Sequence, residues 1–170
     1  QRKRLYQTEV KRNELKNQFT DLGEYLKALG IIVEICKADA FSIPRIAQLT
    51  QRTNQFNLTT RRYTEVDIKN FAKSPKHRVY YLKSRDRFGD HGITGVCITS
   101  AYALDCEIDT FLLSCRIIGR GIEQAFLHHI CNEARLQKAH KLVGRYIPTR
   151  KNQIAANFLS EVQFQTVSRD

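Results

Sequence analysis

The sequence predicts an α/β fold, a mixed sheet with helices on its faces behind an extra N-terminal helix. Three observations predict it. Across 170 residues the chain is 42% apolar and 26% charged, an ordinary globular composition that excludes disorder. No apolar run approaches the ~20 residues of a membrane span, and no signal peptide heads the chain. The elements below follow the order helix, then β-α-α-β-β-β-α-β-α-β, which closes into one such sheet. At this length roughly 70% of the unfolded surface becomes buried, so the core needs no disulfide or metal staple.

Leu15, Phe19, Leu22, Leu26 and Leu29 recur at helical spacing, and Gly30 follows as a stop signal, so residues 1–30 read as an accessory or linker helix. Six Lys/Arg against two Glu in the first twenty residues make its other face basic. Ile31–Ile35 reads as a buried strand. Ser42 and Pro44 start a helix whose apolar side is Ile43, Ile46, Ala47 and Leu49. Thr64-Glu65-Val66-Asp67 opens another in the manner of a capping box, with Ile68, Phe71 and Ala72 on one face.

Three strands follow: Val79–Leu82, then Ile93–Thr99 beyond the turn-rich Phe88–Gly92, then Cys106–Leu113 with the mixed pattern of a central strand. A long helix runs from Gly121 to about Lys138. Lys141–Ile147 reads as a strand, Asn152–Glu161 as a short helix and Phe164–Val167 as a last strand.

Charge speaks to partners. The chain holds 28 Lys+Arg against 17 Asp+Glu, a formal +11, so an anionic partner is expected: nucleic acid, a phosphorylated cofactor or an acidic protein. It opens at Gln1 and contains no methionine, which reads as a piece of something longer. Cys36, Cys97, Cys106, Cys115 and Cys131 form no C-x-x-C pair, and Cys97, Cys106 and Cys115 lie in apolar, strand-like stretches. Buried thiols in a reducing cytoplasm are expected, and no Cys/His spacing matches a metal site.

One motif carries chemistry. The central strand runs into Arg116-Ile117-Ile118-Gly119-Arg120-Gly121 and then directly into the long helix. Free N–H groups at a helix N-terminus, glycines that admit close approach and two guanidinium groups suit the pyrophosphate of a nucleotide-like cofactor. A tight turn with two solvated arginines is the alternative.

Strand order and loop together resemble the GNAT superfamily of acyltransferases over about residues 31–168. The resemblance implies a mixed, mostly antiparallel central sheet with helices on both faces, and a domain over 31–170. It implies that Arg116, Gly119, Arg120 and Gly121 hold the pyrophosphate of an acyl-coenzyme A. It also implies that Phe111, Leu112, Leu113 and Ser114 pair their backbone with the pantetheine arm, and that Leu142–Ile147 splays away to admit the thioester.

A closer resemblance lies in Ser42–Leu49, Thr53–Tyr63, Asp86–Asp90, Glu107–Arg116, Tyr146–Thr149 and Lys151-Asn152, which look like the C-terminal part of FkbH-type proteins. These carry an upstream phosphatase-like domain of the haloacid-dehalogenase class (subfamily IIIC). They are associated with moving a glyceryl unit onto an acyl carrier protein in polyketide-related pathways. The resemblance implies that domain of the same chain and an acidic acyl carrier protein as partners. Glu107-Ile108-Asp109-Thr110 has the wrong first residue for the upstream nucleophile motif, so this part does not perform that step.

A GNAT mechanism needs a base, oxyanion donors and an acid. Glu107 and Asp109 lie two apart on a strand and face one side, as the base or as partners of basic neighbours. The family's acid is a Tyr in an F-Y-x-x-x-G-F pattern; here Phe158-Leu159-Ser160-Glu161-Val162-Gln163-Phe164 places Leu159 at the Tyr and Gln163 at the Gly. Tyr146 and Asn152 are substitutes, Asn152 equally a plain N-cap. Asn54, Gln55, Asn57, Arg61 and Arg62, with Phe56, Thr59 and Thr60, would roof the acceptor site and suit a polar or carboxylated acyl group, or form a solvated loop.

Three functions remain open at this point: an acyltransferase-type domain on an acyl thioester, a non-catalytic GNAT-like module that docks a carrier protein, and nucleic-acid binding. The last has only the charge in its favour, with no reading motif. A cytoplasmic protein with no membrane contact and no metal is expected.

Overall fold

The computed structural model describes residues 2–167, with the side chains of residues 7, 8 and 10–167. In chain order its elements are α1 (Arg2–Lys16), α2 (Leu22–Leu29), β1 (Ile32–Lys37), α3 (Ile43–Arg52), β2 (Phe56–Asn57), α4 (Glu65–Lys73), β3 (His77–Asp86), β4 (Gly89–Tyr102), β5 (Asp105–Leu113), α5 (Ile122–Leu136), β6 (Leu142–Gly144) and α6 (Phe158–Glu161). The chain divides into two compact units. One holds the chain up to Glu34 with Lys83–Gly92; the other holds Ile35–Leu82 and the chain from Ile93 onward.

In the first unit the expected single helix is two. Asp21 is the reason: its backbone is extended and its side chain accepts the Glu24 N–H at 2.8 Å, which caps a fresh start. Gly30, at φ +60°, then ends α2. The apolar seam is cut accordingly. Tyr25 and Leu29 are buried, whereas Leu22 is exposed. The buried Arg12 guanidinium grips Asp86 in a two-pronged pair, Nε to Oδ2 at 2.7 Å and Nη2 to Oδ1 at 3.0 Å. His91 Nε2 lies 3.0 Å from the same carboxylate. Burial pushes the Asp86 carboxyl up, but the bonds from Arg12, His91 and the Phe88 N–H outweigh it and hold it at about 2.

The sheet runs β1-β3-β4-β5-β2, with β6 alongside β5. It is mixed and mostly antiparallel, as the sequence predicts: β5 is antiparallel to β4 and β2 and parallel to β6. Alternation along the strands feeds two faces. Val79 and Tyr81 on β3, Val96 and Ile98 on β4 and Leu112 on β5 pack with Ile46, Ala47 and Leu49 of α3 and Ile68 of α4. Phe111 points the other way, 5.2 Å from Phe126 of α5 and 5.4 Å from Phe158 of α6 between ring centroids. Gly95 of β4 is required beneath α5, since a Cβ there would stand 3.0 Å from Leu113 and 3.3 Å from Phe126. The capping box forms as expected: Thr64 accepts the Asp67 N–H and Asp67 accepts the Thr64 N–H.

Several boundaries differ. β1 lies at a sheet edge and alternates between exposed and half-buried residues, so it is not the buried strand expected. The β3–β4 hairpin turns at Arg87-Phe88, and β4 is already under way at Gly89. β6 is three residues long rather than seven, because beyond Gly144 the chain leaves β5 and the Ile147 N–H bonds Leu58 O at 2.8 Å. The helix expected from Asn152 breaks into a 3₁₀ turn, Gln153–Ala155, and the short α6, because the Asn152 side chain is used elsewhere and caps neither. Phe164–Val167 form no strand. The two-residue β2 escaped the sequence reading, being too short for any period. Cys97 and Cys106 are buried as expected, but Cys115 is exposed because β5 ends two residues before it. Among the described residues no helix is long and apolar enough to cross a membrane.

Candidate functional site

β5 and β6 run parallel only from Cys106 opposite Leu142 to Ile108 opposite Gly144, and then part. At the fork β5 carries a bulge. Its register to β4 passes from Ile98 opposite Thr110 to Thr99 opposite Ile108, which leaves Asp109 as the extra residue. β2 fills the gap beyond. Phe56 stands opposite Leu113 and Asn57 opposite Leu112, and the Leu58 N–H bonds Phe111 O at 3.0 Å. The backbone edge that Phe111, Leu112 and Leu113 would offer to a pantetheine arm is therefore taken by the chain itself. The Leu112 and Leu113 side chains are wholly buried, and the Ser114 N–H bonds Thr94 O at 2.7 Å.

The loop behind β5 keeps the shape expected of it. Gly119 and Gly121 both sit at φ +75° with open space where a Cβ would be, and Gly121 is the N-cap of α5. Arg116 is exposed, and Arg120 is half-buried. Burial first, then the charges of Arg116 and Arg52, press the Arg45 pKa down. Glu123, buried in the first turn of α5, accepts the Gly119 N–H at 2.9 Å, and its other oxygen has no hydrogen-bond partner. An acid two residues after Gly121 was visible in the sequence and is favoured at a helix N-terminus. The fit to coenzyme A is thus split: the loop suits a pyrophosphate, whereas β5 does not admit the arm while β2 is seated.

Asp109 is ringed by donors. Arg61 Nη1 pairs with it, and the Tyr63 hydroxyl donates at 2.8 Å and the Thr110 hydroxyl at 2.9 Å. Its main-chain oxygen accepts the Thr59 hydroxyl at 2.8 Å. Of the two roles left open for Asp109, the structure shows the partner of a basic neighbour. Glu107 is likewise 3.5 Å from Arg145 Nε. Tyr63, given no role from sequence, is the phenol at this fork; burial first and the Asp109 bond second raise its pKa to about 12, so it stays a proton donor.

Asn152 is wholly buried and stands at the N-cap position of the 3₁₀ turn, although its side chain makes no cap bond there. Its Oδ1 accepts the Thr149 N–H at 2.7 Å, the Thr149 hydroxyl at 2.9 Å and the Tyr146 hydroxyl at 3.2 Å. Its Nδ2 donates to Asn57 O at 2.9 Å and Ile147 O at 3.0 Å. It is the brace that fastens β2 to the segment after β6. Tyr146 is half-buried as a member of that brace.

The five residues chosen for the acceptor site separate. Asn57 is interior, its Oδ1 accepting the Thr60 N–H at 2.9 Å. Gln55 is exposed, and Arg61 turns to Asp109. Asn54 and Arg62 bond each other and line a hollow of about 410 Å³ with Thr60, Thr149, Arg150 and Lys151. A larger open hollow of about 560 Å³, between Arg45 of α3 and Glu65 of α4, holds none of the sequence-chosen residues. Leu159, at the family's Tyr position, packs on Gly144, and Gln163, at its Gly position, adopts φ +65°.

No protein-family model matches the sequence, and no curated protein matches it. Solved structures do match. The ribosomal-protein-S18-alanine N-acetyltransferase of Escherichia coli superposes with a TM-score of 0.61 at 13% identity, over 81% of this chain and 80% of its own. The aminoglycoside acetyltransferase AAC(6')-Iy, in complex with a coenzyme A bisubstrate analogue, gives 0.64 at 9% identity, over 82% and 95%. A transcriptional regulator of Bacillus halodurans gives 0.61 at 13% identity, over 82% and 97%. Identities this low speak to architecture alone. With its mixed sheet, its fork between parallel strands and its glycine loop at the head of α5, the chain has the fold of the GNAT acetyltransferases.

Proposed function

We propose that this chain is an acyltransferase-type domain that handles an acyl thioester on coenzyme A or on an acyl carrier protein. It would form the C-terminal part of an FkbH-type protein in polyketide-related biosynthesis, beside a phosphatase-like domain of the same chain. The observation that carries the reading is the parting of β5 from β6 directly ahead of a glycine loop that heads α5. Arg116, Gly119, Arg120 and Gly121 would hold phosphate oxygens there, with Arg45 and Arg52 adding charge. The likeness to AAC(6')-Iy, whose complexes contain coenzyme A, supports the same ligand class. A formal charge of +11 favours encounter with an acidic carrier protein.

A second reading is favoured by β2 and by Leu159: a non-catalytic module that docks the carrier protein for the upstream domain. Calorimetric titration of coenzyme A separates them, repeated with Arg116→Gln and Gly119→Val. Binding that the variants lose supports the acyl-thioester domain. No binding by folded protein, together with retained binding of a carrier protein, supports the docking module.

A further inference from the structure

We infer that the hollow between Asn54–Arg62 and Thr149–Lys151 is a binding site for a phosphate group. None of its lining residues belongs to the glycine loop, and nothing in the proposed function requires it. Two segments almost a hundred residues apart build it, and the buried Asn57–Asn152 brace joins them directly beneath. Arg62, Arg150 and Lys151 bring three positive charges to a lining that holds no acidic residue. Among the described residues none of the three is ion-paired, whereas Arg12, Arg61 and Arg145 each have a carboxylate partner. Like charges gathered without a counter-charge repel, and a dianion relieves that repulsion.

The lining is held rather than loose. Arg62 Nη1 donates to the Thr50 and Thr53 carbonyls and its Nη2 to Asn54, so the guanidinium is pinned by neutral acceptors that leave its charge intact. The Thr149 hydroxyl donates to Asn152 Oδ1 at 2.9 Å and accepts the Lys151 N–H at 3.3 Å, which fixes the start of the Thr149–Lys151 wall. Thr60 sits at φ +53°, a costly conformation for a β-branched residue. The Asn57 side chain holds its N–H and keeps the residue at the rim. A planar guanidinium beside a second Arg and a Lys suits tetrahedral phosphate oxygens better than a single carboxylate.

The test is calorimetric titration of inorganic phosphate and of methyl phosphate at fixed ionic strength, each against three proteins. In Arg150→Gln/Lys151→Gln, where both side chains are exposed and folding does not depend on them, both affinities fall by about tenfold or more. In Lys69→Gln/Lys73→Gln, which removes two exposed charges from α4, they stay within about twofold of the unmodified chain. Tighter binding of methyl phosphate than of phosphate assigns the site to an ester, and the reverse order to the free ion. The inference is overturned if the unmodified chain binds neither probe, if Lys69→Gln/Lys73→Gln loses as much as the hollow variant, or if the hollow variant keeps both affinities. Neither probe carries a thioester, so this outcome and the coenzyme A titration fail separately.

Discussion

Replacing Asn152 by Ala removes the brace between β2 and the segment after β6. Its amide makes five bonds in a wholly buried position. Truncation strips partners from unequal groups. Asn57 is fully buried, so its carbonyl loses a donor that water does not replace, at about 1–3 kcal/mol. The Thr149 N–H, half-buried, loses its 2.7 Å acceptor at a cost nearer the lower end of that range, about 1 kcal/mol. Ile147 is 41% exposed and its carbonyl rehydrates, so it adds little. The expected loss is about 2–4 kcal/mol, a large part of the ~5–15 kcal/mol that holds a domain together. Urea unfolding reads it as a midpoint lowered by about 1–2 M at an unchanged slope. Asn152→Asp keeps the shape but turns an oxygen toward two carbonyls. It should be at least as damaging at neutral pH and less so below pH ~4, where the carboxyl protonates. A loss below about 0.5 kcal/mol for Asn152→Ala would refute the assignment of the brace.

Three further outcomes follow from the packing and the titrating groups. The Asp86 carboxyl is depressed from its ordinary value to about 2, so the unfolded chain binds the proton more readily; the stability it contributes is complete above pH ~4 and lost as pH falls through 2. Acid unfolding followed by circular dichroism should show it, at most about 2 kcal/mol after screening, and Arg12→Ala should shrink that step, leaving the share held by His91 and the Phe88 N–H. Gly95→Ala forces a Cβ against Leu113, Leu82 and Phe126 and should cost about 1–3 kcal/mol in thermal or urea unfolding, with Gly95→Val worse. Tyr63 is raised to about 12, so its contribution is present below pH ~10 and lost as pH rises through 12; ultraviolet titration should show late phenols, the buried Tyr80 among them, of which Tyr63→Phe removes one.

How much of this was legible depended on length of pattern. The capping box at Thr64, the stop at Gly30 and the loop before α5 are local, each set by a few neighbouring residues, and all three stand in the structure. The central strand declared itself because β5 is covered by β4 on one side and shared between β2 and β6 on the other. Asp21 was missed because leucines at helical spacing ran on across it, and only a cap bond tells two helices from one. The Asn152 brace is not legible in the sequence, which shows that an amide is available, not which carbonyls surround it. Its partner Asn57 is 95 positions away, and that pairing exists only once β6 breaks off. The phosphate hollow is only half legible in the sequence. Asn54 and Arg62 stand out by their chemistry, but nothing local brings them to Thr149 and Lys151.

The proposed function turns on what it takes to lift β2. Phe56 is 3% exposed and Leu58 is fully buried, and uncovering each costs about 1.5–3 kcal/mol. The Leu58 and Ile147 N–H bonds and the Asn57–Asn152 contact add roughly 1 kcal/mol apiece. A pantetheine arm that replaces two or three of those bonds returns only the latter part, so at least ~3 kcal/mol is left against it, roughly a hundredfold in affinity. Coenzyme A alone has just its phosphates on the glycine loop to offset that. A carrier protein brings a docking surface as well and can spread the cost over it. The same acyl group should therefore bind more tightly on a carrier protein than on coenzyme A, and loosening the brace should narrow the gap by raising the coenzyme A affinity. Competition between the two thioesters, measured on the unmodified chain and on the Asn152→Ala variant, checks both halves. Equal affinities on the unmodified chain would show that β2 does not gate the thioester, and the split between loop and strand would then have no energetic consequence.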